Sequence, residues 1–558
     1  MSLALSYRDI GMDPRTWVIK RVLPVSVLVA TGALILIIVF PELFLSTTGV
    51  LLLVISFAFA VASAILWPYV LRERRKNEID DELHLFIIRI AVMSLAASTR
   101  SSIFEMASKE GGSRAIMKEL NKVKDLKNVW NISLPQALRT VSRQTPSRRL
   151  GDFLERMAYA IETDEDPKVF FRNEQEAVME EYRSRYATTL DRMEVVREVY
   201  ISMISVTMFL NVMLVIMTIM VGINHYLMSF LIVFIFIVVE LALWVTVNGV
   251  LPREHIWYDP KPHPIGSKFH RWLNLWLWSG IAMSALIAAV IPLFGLRLEF
   301  ILLYFAGVTT PLLMPGIVIV LEERQITRRD EAFGAFIRTI GSTSESKGGA
   351  PSAGLKRIRW HDFGPLTGQV RDLYDRLKLR VDSDKAWALF IKGSRSELIS
   401  QFLNTYQEGI SAGGSPKHVS SLISGNFSSI SSLRKRRYLM ANNFAAILYS
   451  LTMFISAGLF MTYGVVREIL DRLAGLETTS QQIERLQDLV LLKNVEGLET
   501  LMFVSILCVV ALHVMFSADA IRRFKGSHPM MVLVHLPMLL WTAAVSGWLA
   551  LYAVTAII

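Results

Sequence analysis

The sequence predicts an all-α polytopic membrane protein. It is expected to have nine transmembrane helices and two cytoplasmic helical-bundle domains produced by an internal duplication. Three observations carry this. Apolar runs of spanning length alternate with charged segments, Lys and Arg concentrate on alternate segments, and the chain repeats itself at an offset of 249 residues.

The chain has 558 residues, of which 53% are hydrophobic and 19% charged, with a mean hydropathy of +0.41. That is too apolar for a soluble protein and too charged for one lying wholly in lipid, so the two kinds of residue must be segregated. Roughly 20 apolar residues cross the hydrocarbon as a helix. Nine runs meet that length, near 22–43, 49–71, 199–223, 227–251, 273–294, 298–321, 441–466, 500–521 and 530–557. Lipid offers the backbone no hydrogen-bond partner, so each run is expected to be helical.

The elements follow in order. Residues 1–21 form a short N-terminal segment that does not read as a cleaved signal, because the apolar run after it is too long and no small-residue cleavage site stands out. Spans one and two (22–71) lead to a polar domain at 72–198, and spans three and four (199–251) to a loop at 252–272. Spans five and six (273–321) lead to a second polar domain at 322–440. Span seven (441–466), an acidic loop (467–499), span eight (500–521), a short loop (522–529) and span nine (530–558) complete the chain. With the N-terminus inside, 54 of the 59 Lys and Arg residues fall on inner segments, as the positive-inside rule requires. Basic clusters flank the membrane at Arg72, Arg74, Arg75 and Lys76 after span two, and at Arg434, Lys435, Arg436 and Arg437 before span seven. Nine spans place the C-terminus outside, and the loop 467–499, with seven acids and four bases, faces out.

The repeat is visible residue by residue. At an offset of 249, Asp81-Glu82 recurs as Asp330-Glu331, Arg89 as Arg338, Phe153-Leu154 as Phe402-Leu403, and Pro167-Lys168 as Pro416-Lys417. In the first polar domain Leu150, Phe153, Leu154, Met157, Ala158 and Ile161 recur at threes and fours, giving one apolar helix face. Breaks are expected at Gly111-Gly112, Pro146-Ser147 and Asp164–Pro167, with a helix starting at Ser133. The second domain repeats this plan with Leu398, Phe402, Leu403 and Tyr406, and Ser346–Gly354 reads as a flexible loop. Antiparallel helical bundles are the economical solution for both.

Catalytic signatures do not emerge. Neither glycine-rich loop has the spacing of a phosphate-binding loop, and the ten histidines lack metal-ligand spacing. The single cysteine, Cys508, excludes an internal disulfide framework and a cysteine-based zinc site. No cofactor is expected. The net charge of +10 reflects membrane orientation and a basic second domain, with 20 bases against 12 acids, rather than nucleic-acid binding. His255, His263 and His270 share the loop 252–272 with Trp257, Tyr258 and Trp272, which reads as an interfacial loop with aromatic anchors. Three ionisable residues fall within spans: Glu240 near the middle of span four, and His513 and Asp519 in span eight. Such groups are costly in lipid and mark functional sites by default. Asp519 can reach the headgroups, and Glu240 can bond to a neighbouring helix. Pro311 and Pro315 interrupt span six, but span two has no matching break, so a secondary transporter is the second reading.

Several motifs carry a resemblance: Trp130-Asn-Ile-Ser-Leu-Pro-Gln-Ala137, Arg143-Gln-Thr-Pro-Ser147, Asp152-Phe-Leu-Glu-Arg156 and Asn173-Glu-Gln-Glu-Ala-Val-Met179. With them the chain resembles the archaellum assembly protein J family (FlaJ/ArlJ), kin to the GspF/PilC-type platform proteins of type II secretion and type IV pili. The resemblance implies a non-enzymatic membrane platform with no cofactor. It further implies docking on a hexameric secretion ATPase, contact with filament subunits in the membrane, and a homodimer. The alternative within that kinship is the platform of an archaeal adhesion pilus. The basic second domain is the expected ATPase face, through Lys356, Arg357, Arg359, Arg371, Arg376, Lys378 and Arg380. Contact with anionic membrane lipid is the competing reading of those charges.

Overall fold

The structure is a computed structural model. It describes residues 17, 22–23, 26, 47–96, 114–221, 225–251, 254, 256–258, 268–294, 300–346, 351–474 and 498–557. Most of span one, Gly111-Gly112, most of 252–272 and most of 467–499 therefore lie outside the described residues.

The described residues are helical apart from turns and one isolated antiparallel bridge, between Trp257 and Ser396. The α-helices are α1 (Thr47–Ala96), α2 (Arg114–Asn128), α3 (Leu134–Gln144), α4 (Arg148–Glu162), α5 (Pro167–Val221), α6 (His225–Val250), α7 (Lys268–Val290) and α8 (Ile301–Thr309). They continue as α9 (Leu313–Glu345), α10 (Pro351–Ile358), α11 (Thr367–Lys378), α12 (Ser383–Ser394), α13 (Glu397–Ser411), α14 (Pro416–Ala474), α15 (Leu498–Lys525) and α16 (Val532–Ile557). A 3-10 turn at Thr310–Leu312 sits where Pro311 interrupts span six.

Among the described residues seven helical stretches are long and apolar enough to cross a membrane. They lie at Pro167–Met217, Met228–Val250, Arg271–Val290, Ile301–Glu345, Pro416–Ile469, Glu499–Lys525 and Pro529–Ile557, which correspond to expected spans three to nine. The chain is a multi-pass membrane protein. Expected span two falls on α1.

Two compact units divide the chain: Met1–Met179 with Glu408–Gly414, and the remainder. In the first unit α3 and α4 pack as a helical pair whose core includes Leu138, Val141, Phe153, Leu154 and Met157. Phe86 of α1 meets Phe153 edge-on at 6.4 Å. Ser147 caps α4 by accepting from Leu150 N at 3.1 Å, and its hydroxyl donates to Asp80 of α1. Arg156 holds Glu174 with two bonds, 2.7 and 2.8 Å long, joining α4 to α5.

The second unit contains a polar bundle and the apolar helices. In the bundle Phe336 stacks on Phe390 at 5.5 Å, and Phe427 packs on Phe333 at 4.7 Å and Phe402 at 5.3 Å. α9 and α14 approach so closely that a Cβ at Gly341 would lie 1.8 Å from Ser420 Oγ. The apolar helices share a core in which Phe444 of α14 stacks on Phe524 of α15 at 4.0 Å. Of the expected flexible loop Ser346–Gly354, the segment from Pro351 onward is instead the start of α10. Proline is well suited to a first helical turn. Gly354 gives close packing there rather than flexibility, since a Cβ on it would meet Ser344 Oγ at 2.4 Å.

Local geometry recurs at the 249-residue offset. α4 begins at 148 and ends at 162, and α13 begins at 397 and ends at 411. α5 and α14 both start on a proline, Pro167 and Pro416. Asn131 and Arg380 share a left-handed φ of 54° and 59°, as do Asp164 and Gly413 at 58° and 94°. Ser396 caps α13 as Ser147 caps α4, accepting from Ile399 N and donating to Asp330. The acid in the first copy is Asp80, one residue before the position that the offset picks out.

Candidate functional site: a junction between the second bundle and the apolar helices

Residues 256–258, after α6 in the chain, are tied to the second bundle by backbone. Tyr258 N donates to Arg395 O at 2.9 Å, and Glu397 N donates to Ile256 O at 3.1 Å. The carbonyl and amide that it meets lie in the turn between α12 and α13. That turn exposes them because Arg395 takes a left-handed φ of 56° and Ser396 begins the next helix. The bridge therefore lands on the residue whose side chain both caps α13 and reaches Asp330 of α9, at 2.5 Å.

Side chains extend the junction on both sides. Trp257 Nε1 donates to Glu323 of α9 at 3.0 Å, and the same carboxylate oxygen accepts from His528 N at 2.8 Å. The Trp257 ring lies against Phe269 of α7 at 5.7 Å and His528 at 5.4 Å. Arg395 sits 4.2 Å over the Phe269 ring and pairs with Glu322 at 3.0 Å. Arg329 takes the other Glu322 oxygen at 2.8 Å. Arg437 donates to the carbonyls of Phe524 and Arg523, both at 3.0 Å. Arg437 and Arg434 also pair with Glu254 at 3.4 and 3.5 Å. Burial raises the Asp330 carboxyl to about 6, against the lowering pull of the Ser396 hydroxyl, Arg434 and Arg329. Buried charges are retained only when paired and hydrogen-bonded, and here nearly every one spans two elements. Bundle helices α9, α12, α13 and α14 are thereby bonded to the ends of α6, α7 and α15.

The expected docking bases lie on α10, on α11, in the loop between them and, for Arg380, in the turn after α11. Lys356, Arg357, Arg371, Lys378 and Arg380 are exposed, and Arg359 and Arg376 half-buried. Arg359 lies 4.8 Å from both the Trp360 and Tyr374 rings, and Arg371 lies 5.6 Å from Trp360. Arg376 makes a surface pair with Asp372 at 3.7 Å. Of the membrane-flanking bases, Arg75 pairs with the buried Glu119, Lys76 with Glu73, and Lys435 with Glu331 at 2.9 Å. Arg74 is exposed. Arg436 lines an open groove with Arg183, Glu180 and serines 184, 428, 429 and 432.

Glu240 and His513 meet at 2.8 Å, between α6 and α15, and both are fully buried. Tyr200 of α5 donates to the second Glu240 oxygen at 3.0 Å. Ser517 lies 3.4 Å from both Tyr200 Oη and His513 Nε2. Further along the same pair of helices Trp244 Nε1 donates to Asp519 at 2.8 Å, and Arg523 bonds to Asn248. Asp519 is held by Arg522 and Arg523. These bonds join α6 to α15 at three levels.

Sequence reading missed the junction. Trp257 is half-buried, and its indole N–H finds an acceptor in Glu323. The sequence signal was the pair Glu322-Glu323 at the end of an apolar run. Tyr200 and Ser517 were missed for the same reason: their partner is far away in the chain. No group of three or more His, Cys, Asp or Glu that could hold a metal occurs among the described residues.

Comparison with known proteins bears out the resemblance. The family described as Type II secretion system (T2SS), protein F matches residues 86–215. Flagella accessory protein J of Methanocaldococcus jannaschii is 29% identical over 546 residues, covering 97% of this chain and 95% of that protein. Flagella accessory protein J of Methanococcus voltae is 28% identical over 548 residues, covering 96% and 95%. No solved structure matches the chain.

Proposed function

We propose that this chain, a homologue of flagella accessory protein J along nearly its whole length, is the membrane platform of an archaellum machine, passing the motion of a cytoplasmic hexameric ATPase to filament subunits and driving filament rotation. The kinship supports the coarse assignment of a filament assembly platform. The observation that carries the mechanism is the junction: the bridge of 256–258 to 395–397, backed by Glu322, Glu323 and Arg437, gives a polar bundle a stiff mechanical hold on apolar helices. In this reading the protein transmits work and performs no chemistry.

The same reading gives the chain nine spans and two cytoplasmic domains of duplicated origin, with the N-terminus inside and the C-terminus outside. The recurring caps and left-handed turns support the duplication. A homodimer suits a six-fold ATPase, and filament subunits, as apolar helices, are received among the spans in lipid. The ATPase reaches the bases of α10 and α11. Reversing Lys356, Arg357, Arg359, Arg371, Arg376, Lys378 and Arg380 together is expected to abolish filament assembly while membrane insertion persists. Unchanged motility refutes that docking face. An adhesion-pilus platform is the nearest alternative, and filaments that form but never rotate would favour it.

A further inference from the structure

The seven bases of the proposed docking face are not equivalent, because only Arg359 and Arg371 are built around an aromatic ring. Trp360 is 70% exposed, on a loop that is itself firmly held. Asp362 Oδ1 accepts from Gly364 N at 2.8 Å and from Thr367 Oγ1 at 2.9 Å, and Thr367 Oγ1 accepts from Phe363 N at 2.8 Å. Gly364 has a φ of +57°, which closes the turn. Phe363 is buried and meets Phe336 edge-on at 5.5 Å, pinning the loop to the bundle core. Hydrogen bonds from Thr367 and Gly364, with Arg371 nearby, hold the Asp362 carboxyl below the usual carboxylate range. Asp362, two residues from the ring, is therefore engaged within its own loop.

The arginines are fixed by the same device. Arg359 lies between two rings, 4.8 Å from Trp360 and 4.8 Å from Tyr374. Arg371 lies 5.6 Å from Trp360, and its Nε reaches Arg359 O at 3.4 Å. Stacking removes much of the freedom that a free arginine loses on binding, and leaves the fork edges able to take carboxylates in pairs. Tryptophan and arginine are the residues that carry most of the energy of protein interfaces, when surrounded by a rim that contributes little. Lys356, Arg357, Arg376, Lys378 and Arg380 have no such support and match a rim.

We infer that Trp360, with Arg359 and Arg371, is the binding hot spot for an acidic face of the oligomeric ATPase, and that the other five bases form an electrostatic rim. This rests on the platform reading above and deepens it. The partner is acidic because two preorganised guanidiniums need carboxylates to replace their water, and proteinaceous because an exposed indole needs a pocket.

The test measures association and dissociation of the full-length chain in detergent with the purified hexameric ATPase, at several salt concentrations. Trp360→Ala is expected to speed dissociation about 30-fold, leaving association and the melting temperature unchanged. Arg359→Lys keeps the charge and is expected to fall with Trp360→Ala. Lys378→Glu with Arg380→Glu is expected to slow association and flatten its salt dependence. If Trp360→Ala binds as the parent does while the charge reversals abolish binding, the hot spot is overturned and the platform reading stands. If the parent chain does not bind the ATPase, both fail. Binding of the same three residues to anionic vesicles, with no effect on the ATPase, also overturns the inference.

Discussion

Glu240 and His513 are paired deep among apolar helices, where neither can be replaced by water. Removing one partner of a buried hydrogen-bonded pair costs about 1–3 kcal/mol, because the other is left unsatisfied. Glu240→Leu is therefore expected to destabilise the protein strongly, and adding His513→Leu to recover part of the loss. Melting of the single and double variants in detergent checks this, and a single variant as stable as the parent would contradict it. Asp330, which lies beyond the apolar run 298–321, gives a pH signature. Burial raises its carboxyl from the ordinary value to about 6, despite the bond from Ser396. A raised carboxyl stabilises the fold fully below about pH 4, and that contribution of about 3 kcal/mol is lost as pH rises to about 6. The parent chain is expected to gain stability between pH 7 and pH 4 relative to Asp330→Asn, which stays neutral. Parallel melts at the two pH values measure the difference, and equal pH dependence would show that Asp330 ionises freely in the fold.

Among the elements, the strap 256–258 is where structure adds most to sequence. Its two backbone bonds to Arg395 and Glu397 depend on free amides. Tyr258→Pro removes one of those donors. It is expected to abolish filament assembly while leaving membrane insertion and ATPase binding intact, as the proposed transmission role of the strap requires. Immunoblots of membranes, ATPase pull-down and electron microscopy of cells separate these outcomes, and normal filaments would contradict the transmission role. Much of the helix pattern was legible because its signals are local. Ser147 caps, Pro167 and Pro416 open helices, and apolar residues repeat at threes and fours. The strap was illegible because Trp257 and Ser396 lie far apart in sequence and a single bridge has no period. Ser346–Gly354 misled because glycine and proline read as flexibility, whereas Pro351 opens α10 and Gly354 admits Ser344.

For the molecule as a whole, alternating apolar runs made the membrane class plain, and seven of the expected spans fall on described helices of suitable length. The functional class was legible through the motifs between 130 and 182, within the region that matches the protein F family. The docking bases were visible as a charge excess, but their internal ranking was not. A linear count of charges does not reveal that Arg359 is clasped between Trp360 and Tyr374. The Glu240 site was visible as a cost, while its pairing with His513 joins helices 273 residues apart, with Tyr200 and Ser517 added from α5 and α15. The most direct test of the platform account is ATP turnover by the hexameric ATPase with and without the full-length protein in lipid nanodiscs. Salt-sensitive binding with altered turnover, retained by Glu240→Gln, is the result the account predicts. A full-length chain that neither binds the ATPase nor changes its turnover would contradict it and shift attention to transport through the Glu240 site.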